Sequence, residues 1–192
     1  MPLLSPADPL PARPARVVVA GTSGVGKTTL AARIADVLRV PHIEIDALYH
    51  GPGWTPRDSF IADVEAFTAE PAWTTEWQYS SVRALLLERA DLFVWLDLPT
   101  HTAMRQVIGR TLRRSLRSEE LWNGNLEPPL HTVFSDPEHV VRWAWSRRHK
   151  TRQRISAALE TRPDLPIVHV RSHRDSQAWL GEVLPQALGK SL

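Results

Sequence analysis

The chain has 192 residues, 43% of them hydrophobic, which is enough for one domain with a sizeable core. A formal charge of +2 is too small to imply a nucleic-acid partner by itself, and the absence of cysteine excludes disulfides and thiolate metal sites. No apolar run reaches the roughly eighteen residues of a membrane span and no apolar signal core precedes the first charged residues, so no membrane contact and a cytoplasmic location are expected.

Taken in chain order, Pro2, Pro6, Pro9, Pro11 and Pro14 keep residues 1–15 out of regular helix or central strand, and a flexible tail is expected there. One domain is expected over 16–192. Short apolar runs then alternate with longer amphipathic stretches, the pattern of βα units on a mainly parallel sheet. Strands are expected at Arg16–Ala20, His42–Ile45, Ala72–Glu76, Leu92–Leu96 and Ile167–Val170. Helix starts are expected at Thr55-Pro56-Arg57-Asp58 and Asp136-Pro137-Glu138, each with a cap, a proline and an acid in the first turn. Between them, Ser118–Ser135 carries Asn123-Gly124 and Pro128-Pro129 and reads as a long connection between two arginine-rich helices. Arginines at 105, 110, 113, 114 and 117, and again from 142 to 154, make phosphate the obvious counterpart, with a solvated helix face as the plainer reading.

The sharpest motif is Gly21-Thr22-Ser23-Gly24-Val25-Gly26-Lys27-Thr28, which follows the apolar Val17-Val18-Val19-Ala20 and precedes the helix-like Leu30–Leu38. It fits G-x-x-x-x-G-K-[ST] at every position. Glycines let the backbone N–H groups of Gly21 through Gly26 curl inward, and the helix start adds positive potential where a phosphate chain can sit. Lys27 is expected on the β- and γ-phosphates, the Thr28 hydroxyl on Mg²⁺, and Thr29 beside the α-phosphate. ATP or GTP binding follows.

Three acids stand at expected strand ends, where ligands of a parallel sheet gather: Asp46, Glu76 and Asp97. Phosphoryl transfer needs a carboxylate near Mg²⁺ and, for a hydroxyl acceptor, one to orient or deprotonate it. Glu76 is the first metal candidate and Asp97 the second. Asp46 is the acceptor-side candidate, because Asp46 through Trp54, with Tyr49, supplies aromatic and flexible residues suited to a substrate pocket. Each acid taken alone also reads as a helix cap or a surface turn.

With these residues in place, the chain resembles the nucleoside-monophosphate-kinase branch of P-loop proteins, which includes adenylate kinase. The resemblance rests on Gly21-x-x-Gly24-x-Gly26-Lys27-Thr28 and on Ala90 through Pro99. Ile45-Asp46-Ala47-Leu48-Tyr49, Tyr79 through Arg83 and Glu120 through Asn125 are similar, more closely, to a bacterial group of adenylate-kinase-like DNA topology modulation proteins, over about residues 16–182. The resemblance implies a three-layer α/β P-loop NTPase fold, a five-stranded parallel sheet of order 2-3-1-4-5, and a helical lid at about 110–140. It implies an ATP- and Mg²⁺-dependent phosphotransferase with a small-molecule acceptor, as a monomer or homodimer. Arg110, Arg113 and Arg114 would cover the transferred phosphate, Arg105 would help contact the nucleotide, and Arg83 would meet an acceptor phosphate. Trp122 and Asn123 would close the acceptor pocket, and the turn Arg171-Ser172-His173-Arg174-Asp175 would border the adenine. Where those relatives carry Asp-Gly-Asn-Tyr after the third strand, this chain has Glu76-Trp77-Gln78-Tyr79, which adds bulk at position 77. An ATP-switched regulator linked to DNA and a plain ATPase are the alternatives.

Overall fold

A computed structural model describes residues 3–117, 122–125 and 152–189. Its centre is a sheet of five parallel strands: β1 (Leu3–Leu4), β2 (Arg16–Gly21), β3 (Trp73–Glu76), β4 (Leu92–Leu96) and β5 (Ile167–Val170), in the spatial order β1-β5-β4-β2-β3. The strands alternate between two buried faces, as a sheet covered by helices on both sides must. Val17 and Val19 of β2, Leu92, Val94 and Leu96 of β4, and Val168 and Val170 of β5 face one core. Val18, Ala20, Phe93 and Ile167 face the other.

Helix α1 (Lys27–Leu38) lays Leu30, Ile34 and Leu38 on the first core, where Trp179, Leu180 and Leu184 of the C-terminal helical segment join them. That segment starts at α7 (His173–Ala178), capped by the Ser172 hydroxyl accepting from the Asp175 N–H at 3.0 Å. The second core is closed by α3 (Phe60–Thr68), α4 (Arg83–Arg89) and a helix over 152–160, called α6, through Phe60, Val64, Leu86, Leu87, Ile155 and Leu159. Helix α5 (Thr100–Arg117) leaves β4 through Leu98 and Pro99.

Four expected strands form within a residue of their expected bounds; of the expected order 2-3-1-4-5 the run 3-1-4-5 is present, and β1, added at the edge beside β5, keeps the sheet at five parallel strands. The strand expected at His42–Ile45 does not form. Pro41 and Ile43 run beside β3, Thr74 N–H donating to Pro41 O at 2.8 Å and Ile43 N–H to Thr74 O at 2.9 Å, but only His42 is in ladder register. The Ile45 N–H then turns to the Glu76 carboxylate, 3.2 Å away, and the chain coils into the short helix α2 (Ile45–Tyr49). The helix expected from Thr55-Pro56 starts later, at Phe60. His50 and Pro56 form an antiparallel bridge, with Arg57 N–H donating to Tyr49 O at 2.9 Å, so residues 50–57 fold back as a hairpin-like loop.

Within the stretch expected as a tail, Leu3 and Leu4 pair with Ile167 and Val168, and Leu10 is 2% exposed in the first core. The expected helix start at Asp136, and most of the expected lid, lie outside the described residues.

Candidate active site

The glycine-rich loop leaves β2 at Gly21, where a Cβ would stand 2.5 Å from the Leu96 carbonyl oxygen and 2.8 Å from a Val25 methyl carbon. Only glycine lets the loop pass this close to β4. Gly24 (φ 81°) and Gly26 (φ 93°) adopt left-handed backbone, and Gly26 is the N-cap from which α1 begins. The loop therefore wraps the first turn of α1, and Ser23, Val25 and Gly26 lie on it as expected. Lys27 is 8% exposed and its Nζ donates to the Thr22 carbonyl at 3.2 Å, so its ammonium reaches back across the loop it closes. Loop, parallel sheet and flanking helices together make a three-layer α/β arrangement that carries the strand–glycine loop–helix unit of the P-loop motif.

Beneath the loop lies Glu76, 1% exposed, at the end of β3. Burial pushes its carboxyl up, but hydrogen bonds from His42 (3.3 Å), the Ile45 N–H (3.2 Å) and the Thr28 hydroxyl outweigh that and hold it below the usual glutamate value. Thr28 and Glu76, the hydroxyl and carboxylate named from the sequence for one ion, are thus in contact. Both offer the hard oxygens Mg²⁺ prefers, so this pair fits that ion. Among the described residues no group of three or more His, Cys, Asp or Glu side chains gathers, so an ion here would complete its shell with phosphate and water.

Asp97, the second metal candidate, is engaged otherwise. Its carboxylate takes Nη2 of Arg152 at 2.9 and 3.0 Å and Nε2 of His169 at 3.1 Å, while His169 stacks on Trp95 with ring centroids 4.3 Å apart. These residues, with Thr22, Ser23, Met104 and Arg171, line an open cleft of about 720 Å³ beside the loop. Arg171 opens the turn expected to border the base. Arg105 is exposed on α5 and does not line this cleft. Arg152 belongs to the arginine run from 142 to 154 that the sequence offers for phosphate, whereas His169 has only one signal in the sequence, a histidine interrupting the apolar β5.

On the other side, one step along the chain from Ile45, Asp46 is half-buried. Its Oδ1 accepts from the Tyr79 hydroxyl at 2.6 Å and from Gln78 Nε2 at 2.8 Å. Tyr79 lies 3.2 Å from His50 Nε2 and stacks on Tyr49 with centroids 3.9 Å apart. Burial first, and the Asp46 charge second, push the Tyr79 phenol well above its ordinary value, so it stays protonated. Burial also lowers His50 against the opposing pull of Asp46. His50 lies within the segment from Asp46 through Trp54 expected on the acceptor side, whereas Tyr79 and Gln78 had no role assigned to them from the sequence.

Trp77 packs away from this side-chain cluster. It is 7% exposed, packs edge-on against Phe93 at 5.6 Å, donates through Nε1 to the Arg83 carbonyl at 3.1 Å, and carries the Arg83 guanidinium 5.2 Å above its ring. The bulk is absorbed by the core and steadies Arg83.

Residues 122–125 close on the loop after α2. Asn123 Nδ2 donates to the His50 carbonyl, Asn125 Nδ2 to the Gly51 carbonyl at 2.9 Å, and Asn125 Oδ1 accepts from the Trp54 N–H at 2.9 Å. The Trp122 side chain and those of Arg110, Arg113 and Arg114 lie outside the described residues, although the backbone of all three arginines belongs to α5.

No family profile matches the chain, and no curated protein matches it. Among solved structures, a gluconokinase from Sinorhizobium meliloti 1021 superimposes with a TM-score of 0.46 at 21% identity, over 91% of this chain and 96% of that one. Shikimate kinase from Aquifex aeolicus gives 0.49 at 12% identity over 91% and 99%, and a sugar kinase from Janibacter sp. HTCC2649 gives 0.46 at 19% over 92% and 98%.

Proposed function

We propose that the chain is an ATP-dependent phosphotransferase of the adenylate-kinase-like branch, related to the DNA topology modulation group, acting in the cytoplasm on a small nucleotide- or nucleoside-like acceptor. The observation that carries this is the contact between Thr28 at the end of the glycine-rich loop and the buried Glu76 carboxylate, which also takes the N–H of Ile45, the residue before Asp46.

In this reading the N–H groups of Gly21 through Gly26 hold the phosphate chain, and Lys27 leaves the Thr22 carbonyl for the β- and γ-phosphates. Thr28 and Glu76 would hold Mg²⁺, which neutralises phosphate charge when bound. The open cleft by Trp95, Asp97 and Arg171 takes the nucleoside end, and Asp46, Tyr49 and Arg83 border the acceptor. Arg110 and Arg114 of α5 would neutralise charge spreading onto the transferred group, and excluding water keeps the phosphoryl group from hydrolysis.

The test is transfer of labelled γ-phosphate from ATP with Mg²⁺ to a panel of nucleoside monophosphates, nucleosides and small hydroxyl compounds. A product is expected, and Lys27→Ala should lower its formation by about a thousandfold, the scale of one lost transition-state charge contact. Equal activity in that variant sinks the reading. ATP consumption without a phosphorylated acceptor would mark an ATPase instead, and steeply salt-dependent DNA binding would mark a regulator.

A further inference from the structure

The two carboxylate oxygens of Asp46 are used unequally. Oδ1 accepts from both Tyr79 and Gln78, whereas Oδ2 takes no hydrogen bond from any described residue. Neighbouring side chains in an extended chain point apart, so two adjacent residues converging on one oxygen need a backbone device. Tyr79 supplies it with φ of 56°, a left-handed conformation that costs a bulky residue free energy and persists only where the surroundings enforce it. Here the enforcing contacts are the Tyr49 stack, an edge contact with Phe60 at 5.2 Å, and the His50 ring nitrogen on the Tyr79 hydroxyl. Since a phenol has one proton and Tyr79 gives it to Asp46, His50 must present Nε2–H to the Tyr79 oxygen.

Resting on the phosphotransferase reading above, we infer that the acceptor attacks through a neutral hydroxyl rather than a phosphate, that Oδ2 of Asp46 receives its proton, and that Tyr79, backed by His50, is the positioning residue fixing that carboxylate. A second carboxylate pointing at an anionic phosphate nucleophile would repel it, while a hydroxyl finds in Oδ2 the acceptor it needs. In the step, the hydroxyl oxygen bonds to the γ-phosphorus, the bond from that phosphorus to the β–γ bridging oxygen breaks, ADP leaves with the bridging oxygen, and the hydroxyl proton passes to Asp46. Glu76 is already held by His42, Ile45 and Thr28, which leaves Asp46 for the acceptor.

The test uses the full chain and the same panel divided into two classes, nucleoside monophosphates and uncharged hydroxyl compounds. Transfer is expected in the hydroxyl class only. With that acceptor, Asp46→Asn should lose roughly a hundred- to ten-thousandfold in kcat. Tyr79→Phe, which keeps the ring and its stack, should lose about tenfold in kcat with KM for ATP unchanged. A merely structural loss would add to that of Asp46→Asn; a positioning role predicts that Tyr79→Phe costs little more once Asp46 is asparagine. Transfer to monophosphates that survives Asp46→Asn overturns the inference and leaves the kinase reading standing, and so does an unchanged kcat in Tyr79→Phe. No Lys27-dependent transfer to either class removes the kinase reading itself, and the inference with it.

Discussion

Glu76 is a carboxylate 1% exposed to solvent, and its charge is tolerated because three donors surround it. A group whose folded value lies below its unfolded one stabilises the fold above the unfolded value and loses that contribution as pH falls through the folded one. Wild-type protein is therefore expected to lose melting temperature steeply below about pH 4.5, the ordinary value for this side chain, and Glu76→Gln to start lower but fall less over the same range. Parallel curves for the two proteins would mean that Glu76 is not held as an anion. The position of this acid was legible from its place at a strand end; its donors were not, because His42 and the Ile45 N–H reach it from a segment that reads as a strand. Alternation in His42-Ile43-Glu44-Ile45 gives no sign that Ile45 spends its N–H on a side chain instead of a ladder. Tyr79 escaped for a similar reason: a left-handed tyrosine has no local signature, and the Asp46 contact spans 33 positions.

At the scale of elements, the central strands were legible because both faces are buried, so near-continuous apolar runs could only be strands of a covered sheet. The glycine loop was legible because three glycines at fixed spacing serve a single backbone path. The first fifteen residues were misleading: prolines exclude helix and central strand, yet they permit extended chain along an edge. Leu10 shows what that segment contributes, since it lies against the core that holds Val17, Ile34 and Trp179. Leu10→Ala is expected to cost about 2–5 kcal/mol by denaturant unfolding, as for other buried leucines. A change within about 0.5 kcal/mol, typical of an exposed site, would show the segment undocked.

Across the whole molecule, the proposed nucleotide site draws on both layers: the loop and α1 on one side, β3 and α2 on the other, with Asp97, Arg152 and His169 joining β4, α6 and β5 at the far end. A ligand bridging these parts stabilises the folded state by mass action, about 2.7 kcal/mol at a hundred times its Kd. ATP with Mg²⁺ is therefore expected to raise the melting temperature of the wild type and to leave Lys27→Ala unmoved; equal shifts in both would place ATP elsewhere.

The pairing of Leu3 with Ile167 has a consequence for how the protein comes into being on the ribosome. Domains acquire structure from the N-terminus as they are made, and contacts far apart in sequence are the slowest to close. Yet β1, made before the other four strands, has no neighbour in the sheet until β5 has left the exit tunnel, so the first of these strands to be synthesised is among the last to find its place. Until then β5's future edge is neither made nor covered, and once it is made, the waiting segment is the tether that claims it before another chain can.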